Sequence, residues 1–199
     1  MAQNGDFLTI LLCDPHFKNR EVRVVDECLT FFFAGSQTSS NATQNLIFAL
    51  CKHPEYQDRI LAELDREIVQ PHLKTLREKK EKCEKVSDLN VLNLINYENN
   101  SDLVFYTSCF NESLRMMPPV YYSSSIRMSE DVQAGNLRIR KGDPISINMG
   151  RMQNHPSEWQ QPDKFIPERF DPKSEYFLTP SGKRRNTFSF SPFLGGQRI

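Results

Sequence analysis

The feature that most constrains the fold is a long helical pattern near the start of the chain. Apolar side chains recur with a helical period at positions 22, 25, 29, 32 and 33, and again at 46, 47 and 50. At a rise of about 1.5 Å per residue, a helix over residues 21–50 would be about 45 Å long. A chain of 199 residues suits one domain, and such a helix would cross a larger one. The pattern therefore predicts a mainly helical structure that is part of a larger fold.

The centre of this helix combines bulky and very small side chains. Residues 31–35 read FFFAG and are apolar on every side, so we expect them to be buried all round. Gly35 costs about 1 kcal/mol relative to alanine inside a helix. Small side chains in the run Ala34-Gly35-Ser36-Gln37-Thr38 would leave a dent in which a flat group could approach the backbone. Close packing of another helix on the same dent is the alternative.

Two further helices are predicted, and each is expected to end at a proline. Residues 54–70 carry a single apolar stripe, and Pro71 is expected to close that helix. A second helix is expected to begin after an N-cap at Ser101 or Asp102 and to stop at Pro118-Pro119.

The chain after that helix is predicted to hold little regular structure. Residues 137–139 and 145–147 alternate in polarity as short strands do, and residues 141–144 supply turn chemistry between them. A short helix is expected near HPSEW at residues 155–159, followed by ordered coil.

Charge and cysteine content exclude several classes of protein. Lys plus Arg and Asp plus Glu number 25 each, so no global charge favours binding to nucleic acid. The basic run at residues 74–85 is typical of a solvated helix face, with binding of a protein partner as the alternative. Five widely spaced cysteines make neither a zinc site nor a disulfide framework. No apolar run is long enough to span a bilayer.

Two charged motifs could meet in space. Glu112 and Arg115 are three residues apart and share a helix face, and Arg169 lies in the later run Pro167-Glu168-Arg169-Phe170. An exposed ion pair between Glu112 and Arg115 would be worth less than about 1 kcal/mol. A buried cluster of one glutamate between two arginines would have to be fully hydrogen-bonded, and it would tie a helix to irregular chain.

The last seven residues, FLGGQRI, form the final motif. The glycine at position 195 and its neighbour permit a bent backbone that approaches a ligand closely. An ordinary surface loop is the alternative for this motif when it is taken alone.

Together and in this order, the motifs resemble those of the cytochrome P450 family. The resemblance runs from about Glu21 to Ile199 and rests on AGSQT, ESLR, PERF and FLGGQRI. It implies the C-terminal part of the cytochrome P450 fold, mainly α, with a long central helix, several helices and a small antiparallel β-sheet. Residues 1–199 would form a single incomplete domain. The family pattern places the haem-ligating cysteine directly after Ile199, so no metal ligand is expected within the chain.

The resemblance also implies roles for individual residues around haem, the expected cofactor. Thr38 would donate a hydrogen bond to dioxygen and steer protons, and Gln37 stands where the family most often has an acid. Glu112, Arg115 and Arg169 would form a structural charge cluster. The residues expected to contact the haem itself are Ala34, Gly35, Arg127, Phe193, Gly195 and Arg198.

The implied function is haem-dependent monooxygenation of a lipophilic substrate, with electrons from a separate reductase. Lys183-Arg184-Arg185 could face an acidic reductase surface, or could be a solvated basic cluster. By analogy with the family, the protein is expected at the cytosolic face of the endoplasmic reticulum membrane, anchored through a part outside this chain. The 199 residues alone are expected to be soluble and inactive. The alternative is a non-catalytic remnant or a helical partner-binding protein.

Overall fold

Helices dominate the computed structural model, which describes residues 6–81, 94–96 and 99–194, except for the side chains of residues 79–81. The α-helices in this part of the chain are α1 (Phe7–Cys13), α2 (Glu21–Lys52), α3 (Pro54–Leu64), α4 (Gln70–Glu81), α5 (Val104–Met116) and α6 (Met149–Met152). Short 3₁₀ turns lie at Pro15–Phe17, Asn99–Asp102, Pro167–Phe170, Glu175–Phe177 and Thr187–Ser189.

In the described residues, the β structure consists of two small antiparallel sheets. Strand β1 (Ile126–Arg127) pairs with β4 (Pro144–Ile145), and β2 (Val132–Ala134) pairs with β3 (Leu137–Ile139). The expected strand at 137–139 is confirmed, but the second expected strand is reduced to residues 144–145. The two do not pair with each other, because each finds its partner in a segment that the alternation pattern did not single out.

The long helix is confirmed as α2, but the expectation that its centre is buried all round is wrong. Phe31, Phe32 and Phe33 are 62%, 73% and 69% exposed. The buried side chains of α2 are concentrated towards its C-terminal end, at Ala42, Leu46 and Ala49, with Val24 near its start. Phe31 stacks on Phe7 of α1, with ring centroids 4.3 Å apart. Burial of α2 therefore follows the elements that pack on it rather than its own hydrophobicity.

Pro71 does not close the helix that starts at Pro54. Helix α3 continues through a π-helical turn at Asp65–Val69 into α4, whose second residue is Pro71. A proline lacks the backbone N–H and crowds the carbonyl of the residue four positions earlier. Here that carbonyl lies within the wider π turn, where the Gln70 amide donates to the carbonyl of Asp65, five residues back. The widened turn lets the helix accommodate the proline.

Helix α5 begins two residues after the expected N-cap, and its cap comes from another helix. Leu103 occupies the N-cap position and makes no side-chain cap. Instead the amides of Phe105 and Tyr106 donate to the two carboxylate oxygens of Glu63 in α3, at 2.7 and 2.9 Å. Glu63 is 6% exposed. A negative charge at a helix N-terminus also suits the helix dipole, so this contact joins α3 to α5. The stop at Pro118-Pro119 is confirmed by the end of α5 at Met116.

The hydrophobic core lies between α2, α3, α5 and the coil that follows α6. One cluster of buried residues joins Leu46, Ala49, Cys109 and Phe165, and a smaller one joins Ile68, Leu94 and Leu103. The expected helix near HPSEW is absent from this described coil, since residues 153–159 form turns and the short helix α6 lies just before them. Among the described helices, none has the length and apolarity needed to cross a membrane.

Candidate functional site

A fully buried charge cluster lies where α5 meets the later coil. Arg115 reaches the two oxygens of Glu112 through Nε and Nη2, at 2.8 and 2.9 Å. Arg169 donates from Nε to Oε1 of the same carboxylate at 3.0 Å. All three side chains are 0% exposed. The structure therefore brings Glu112, Arg115 and Arg169 together, and the cluster carries a net positive charge.

The Nη1 and Nη2 nitrogens of the two guanidinium groups also donate to backbone and amide oxygens. Arg115 donates to the carbonyls of Gln153 and Lys164 and to the side chain of Asn154. Arg169 donates to the carbonyls of Gln160, Gln161 and Lys164. Desolvation by burial lowers the pKa of Arg169, and the charge of Glu112 opposes that shift. These carbonyls belong to irregular chain, which has oxygens free of helix or strand pairing.

One of these carbonyls comes from a residue with unusual backbone geometry. Gln161 has a φ of 44°, in the left-handed region that residues other than glycine seldom adopt. Its carbonyl accepts a hydrogen bond of 2.6 Å from Nη2 of Arg169. The buried arginine therefore holds a turn that the local sequence disfavours.

A second arginine layer covers the cluster on the side of Trp159. The indole ring is 1% exposed, and the guanidinium of Arg185 lies 4.4 Å from its centroid. Arg185 also donates to the carbonyls of Arg169 and Tyr176. Of the basic run at 183–185, Lys183 and Arg184 are exposed, whereas Arg185 is committed to this internal packing. Burial lowers the pKa of Arg185, and the nearby charge of Arg169 adds to that shift.

An apolar cavity of about 380 Å³ is connected to the cluster through Gln153, which contacts both Arg115 and the lining residue Ser191. Its wall comes from the chain after α5, from β1, from the residues around α6 and from the last described segment. The lining residues are Ser123, Ser124, Ile126, Ile147, Met149, Met152, Phe188, Ser191 and Leu194. Its size falls within the range of small-molecule sites in proteins, about 300–1,000 Å³.

Arg127 follows the lining residue Ile126 in β1 but is not itself among the residues that line this cavity. Its side chain is exposed, and Nη1 donates to the carbonyl of Gly142 at 3.0 Å. The backbone of β1 is fixed by the pairing of Ile126 with Ile145 and of Arg127 with Pro144. The guanidinium of Arg127 is thus held by the turn at Gly142, one residue along β1 from the lining residue Ile126.

Gly150 allows a close contact that shapes the same wall. A Cβ at this position would lie 2.6 Å from two ring carbons of Tyr121. The carbonyl of Tyr121 accepts a hydrogen bond of 2.8 Å from the amide of Met149, a cavity residue. The absence of a side chain at Gly150 therefore permits the ring to pack on α6, a role that the sequence pattern did not predict.

The four candidate residues of α2 are not among the residues that line this cavity. In the part of the chain that the structure describes, no heavy atom other than those of its chain neighbours and the adjacent backbone of α2 lies within 4 Å of the place where a Cβ of Gly35 would be. The dent at Ala34 and Gly35 is therefore open, and no described helix packs on it. The hydroxyl of Thr38 donates to the carbonyl of Ala34 at 2.7 Å, and Gln37 donates from Nε2 to Oδ1 of Asn41 at 3.1 Å.

The last motif lies mostly outside the described residues. Phe193 is described and is 51% exposed, but Gly195 and Arg198 fall outside. The expected contacts of those two residues with a cofactor are therefore not tested by the structure.

Two polar residues with large structural roles were missed by the sequence analysis. Glu63 caps α5, and Gln153 is 0% exposed and joins α5 to the cavity wall through its side-chain amide. Glu63 looked like one acid among several on a charged helix, and Gln153 belongs to no motif. No local signal in the sequence distinguishes either residue, because both act on segments distant along the chain.

Comparisons with known proteins agree with the fold. The family profile described as Cytochrome P450 matches residues 2–199. The chain is 31% identical to human Cytochrome P450 4F8 and to rat Cytochrome P450 4F6, over 97% of its own length and 33% and 32% of theirs. It is 32% identical to human Cytochrome P450 4F3, with 97% of this chain and 33% of that protein covered. The chain thus spans about a third of the length of the curated relatives it matches.

A solved structure of a zebrafish cytochrome P450 with progesterone is similar in fold. It aligns with a TM-score of 0.61 at 24% identity, covering 85% of this chain and 32% of that one. At this identity the likeness concerns the fold alone. The mainly helical architecture with small antiparallel sheets is the one expected from the sequence.

Proposed function

Since the chain belongs to the cytochrome P450 family, whose cofactor is haem, we propose that the protein serves as a haem-dependent monooxygenase. The reaction would insert one oxygen atom from O₂ into a lipophilic organic substrate. The observation that carries the proposal is the apolar cavity, whose wall at Ser191 is connected through Gln153 to the buried cluster of Glu112, Arg115 and Arg169.

The residues around the cavity fit the chemical character of haem. A porphyrin has apolar faces and two propionate groups. Ile126, Ile147 and Met149 present apolar surface to the cavity. The guanidinium of Arg127 donates one N–H to the carbonyl of Gly142 in the described structure. Its other N–H groups can pair with a propionate by charge-assisted hydrogen bonds. We assign the same role to Arg198, and contact with the porphyrin to Phe193 and Gly195.

Haem with a thiolate ligand supplies activation of dioxygen, and the residues of this chain bind, orient and exclude water. Ala34 and Gly35 would let a flat group approach the backbone of α2. Thr38 would hold a proton at Oγ1, after its hydroxyl turns from the carbonyl of Ala34. Gln37 cannot supply a proton as an acid would, but its amide can hold a water molecule.

The cluster of Glu112, Arg115 and Arg169 has a structural role in this proposal. It fixes the coil at residues 153–169 against α5 through the carbonyls that both guanidinium groups bind. That coil leads to the segment at residues 188–194, which supplies Phe188, Ser191 and Leu194 to the cavity wall. The cluster would thus set the shape of the haem site without touching substrate.

The 199 residues alone would not carry out the reaction. None of the described cysteines lines the cavity: Cys13 and Cys51 are exposed elsewhere, Cys28 is on α2, and Cys109 is in the core. Burial raises the pKa of Cys109 to about 12, so its thiol stays protonated at neutral pH. A thiolate ligand is the feature that favours O–O cleavage.

The partners are proposed with the activity. Electrons would come from a separate reductase, for which Lys183 and Arg184 offer exposed positive charge. The whole protein would work at the cytosolic face of the endoplasmic reticulum membrane.

Haemin titration of the purified chain tests this proposal. We expect a saturable shift of the Soret band and quenching of Trp159, the single tryptophan. Replacing Arg127 by Gln should weaken binding about tenfold through loss of a charged contact. The matched control is Arg138→Gln in the neighbouring hairpin, an exposed arginine that pairs with Asp131 and to which no haem contact is assigned.

The reduced, CO-treated sample then tests the expectation of inactivity. We expect a band away from the position of thiolate-ligated haem. A band at the thiolate position would contradict the inactivity of these residues alone. Absence of any saturable haemin binding, or equal binding by the Arg127 variant, would contradict the haem site, and the non-catalytic alternative would then be favoured.

A further inference from the structure

A single buried glutamine connects the sealed charge cluster to the wall of the cavity. Gln153 follows α6 directly and is 0% exposed. Its backbone carbonyl accepts a hydrogen bond from Nη1 of Arg115 at 3.2 Å. Its position is therefore tied to the cluster independently of its side chain.

The side-chain amide of Gln153 uses both its donor and its acceptor. Nε2 donates to the carbonyls of Leu114 and Arg115, at 3.0 and 3.3 Å. These carbonyls lie in the last turn of α5, where the helix itself provides no partner. Oε1 accepts a hydrogen bond of 2.9 Å from the amide of Ser191. An amide group offers both functions from one planar unit, which neither a carboxylate nor an apolar side chain can do.

Ser191 is the point at which this chain of contacts reaches the cavity. It is 9% exposed and lines the cavity together with Phe188 and Leu194 on either side of it. Its hydroxyl donates to the carbonyl of Phe188 at 3.3 Å, and its own carbonyl accepts from the amide of Leu194 at 3.1 Å. Gln153 thus holds the segment at the backbone of Ser191, and the neighbouring ring of Phe190 packs on Trp159 and Phe170.

We propose that Gln153 is a positioning residue that sets the wall of the haem cavity by fixing the amide of Ser191 relative to α5. The proposal rests on the proposed function in so far as the occupant is haem. Its core claim, that the side chain of Gln153 governs residues 188–194, concerns this chain alone. A glutamine that merely caps α5 would stabilise the helix and leave that segment unaffected.

The chain offers a matched control in Gln160. That residue also donates from its amide to two backbone carbonyls, those of Glu175 and Leu178, at 2.9 and 3.1 Å. Its own backbone carbonyl accepts from Arg169, as that of Gln153 accepts from Arg115. Gln160 does not line the cavity and makes no contact with Ser191 among the described hydrogen bonds. Gln153→Met and Gln160→Met therefore each remove an amide that donates to two backbone carbonyls, but only that of fully buried Gln153 also accepts from the wall.

Hydrogen exchange of peptides and haemin binding are measured on the 199-residue chain and both variants. In Gln153→Met we expect the peptide containing Ser191 to exchange about tenfold faster, as for loss of one buried hydrogen bond, with haemin affinity lowered about tenfold. In Gln160→Met both quantities should stay within about twofold of the wild type. Gln153→His, which offers one donor and one acceptor, should restore part of the protection at Ser191 and serves if the methionine variant fails to fold.

The outcomes separate this proposal from the proposed function. Faster exchange only in α5, with the peptide containing Ser191 unchanged, would overturn the positioning role and leave a cap. Equal effects of the two methionine variants on that peptide would also overturn it. If the wild-type chain takes up no haemin, the haem site fails, yet the exchange of Ser191 still decides the role of Gln153.

Discussion

The charge cluster at α5 and the centre of α2 both depart from the usual rule that apolar residues are buried and charged residues are exposed. Glu112, Arg115 and Arg169 are 0% exposed, whereas Phe32 is 73% exposed. The charged groups are buried because every one of them has partners close at hand. The phenylalanine is exposed because, in the described part of the chain, no element covers that side of α2. Burial is therefore decided by what surrounds a residue, and the residue type sets only the cost.

The irregular chain supplies the hydrogen bonds that compensate for the desolvation of the buried charges. Helices and strands use up their own backbone oxygens, but a coil has carbonyls left over. The coil at residues 153–169 directs several of these oxygens at Arg115 and Arg169, and the cluster in turn holds the coil. On α2 the hydroxyls of Ser36 and Thr38 instead donate back to their own helix. One region is stabilised by long-range contacts and the other by local ones.

Breaking the cluster should have the largest effect on stability. Glu112→Gln replaces an oxygen that faces a guanidinium by an N–H group and leaves two buried arginines short of negative charge. We expect a loss of about 3–5 kcal/mol in the free energy of unfolding, measured by urea denaturation. The control is Glu67→Gln, which breaks the exposed pair of Arg66 and Glu67 at 2.6 Å and should cost less than about 1 kcal/mol. Similar losses in the two variants would show that the cluster is not sealed from water.

Truncating one buried and one exposed apolar side chain should test whether burial, rather than residue type, decides the contribution to stability. Leu114 is 2% exposed, and Leu114→Ala should cost about 2–5 kcal/mol through lost burial and a cavity. Phe32→Ala removes a larger side chain but should change stability by less than about 0.5 kcal/mol, because the ring is mostly in water. Urea denaturation of both variants gives the comparison. A large loss from Phe32→Ala would mean that another surface covers α2 in solution, for which a change in oligomeric state is the check.

The smallest predicted effect on stability at neutral pH is that of the buried Cys109 thiol in the core. Burial raises the pKa of Cys109 to about 12 from an ordinary value of 9.0. The folded state therefore keeps the proton while the unfolded chain loses it. The contribution of this thiol is fully present below pH 9 and is lost as the pH rises towards 12. Between these values the stability of wild type should fall more steeply with pH than that of Cys109→Ala.

Alkylation with iodoacetamide provides a second measurement on the same thiol. At pH 8, Cys109 should react far more slowly than the exposed Cys51, as read from labelled peptides by mass spectrometry. Rapid labelling of Cys109 in the folded protein would contradict its place in the core. A matching pH slope in wild type and Cys109→Ala would contradict the shift in its pKa.

The elements whose signals are local could be predicted, and those whose partners are distant could not. The helical period found α2, and Pro118-Pro119 correctly marked the end of α5. The cap of α5 was misplaced because Glu63 comes from a helix 42 residues earlier in the chain. The predicted end of the helix at Pro71 is wrong because the π turn that accommodates this proline has no sequence signature. The prediction that FFFAG is buried was wrong because the hydrophobicity of a segment does not determine which element will pack on it.

The same division holds for the candidate site. Chemical identity and spacing were enough to single out Glu112, Arg115 and Arg169, and to suggest that a buried cluster of them needs every hydrogen bond filled. Only the folded chain could supply the carbonyls, turn Gln161 into the left-handed region, place Gln153 between α5 and Ser191, and leave Gly35 open. A sequence records local periodicity and the chemistry of each side chain. Burial and pairing depend on surfaces that meet only after distant segments have packed, so they belong to the tertiary structure.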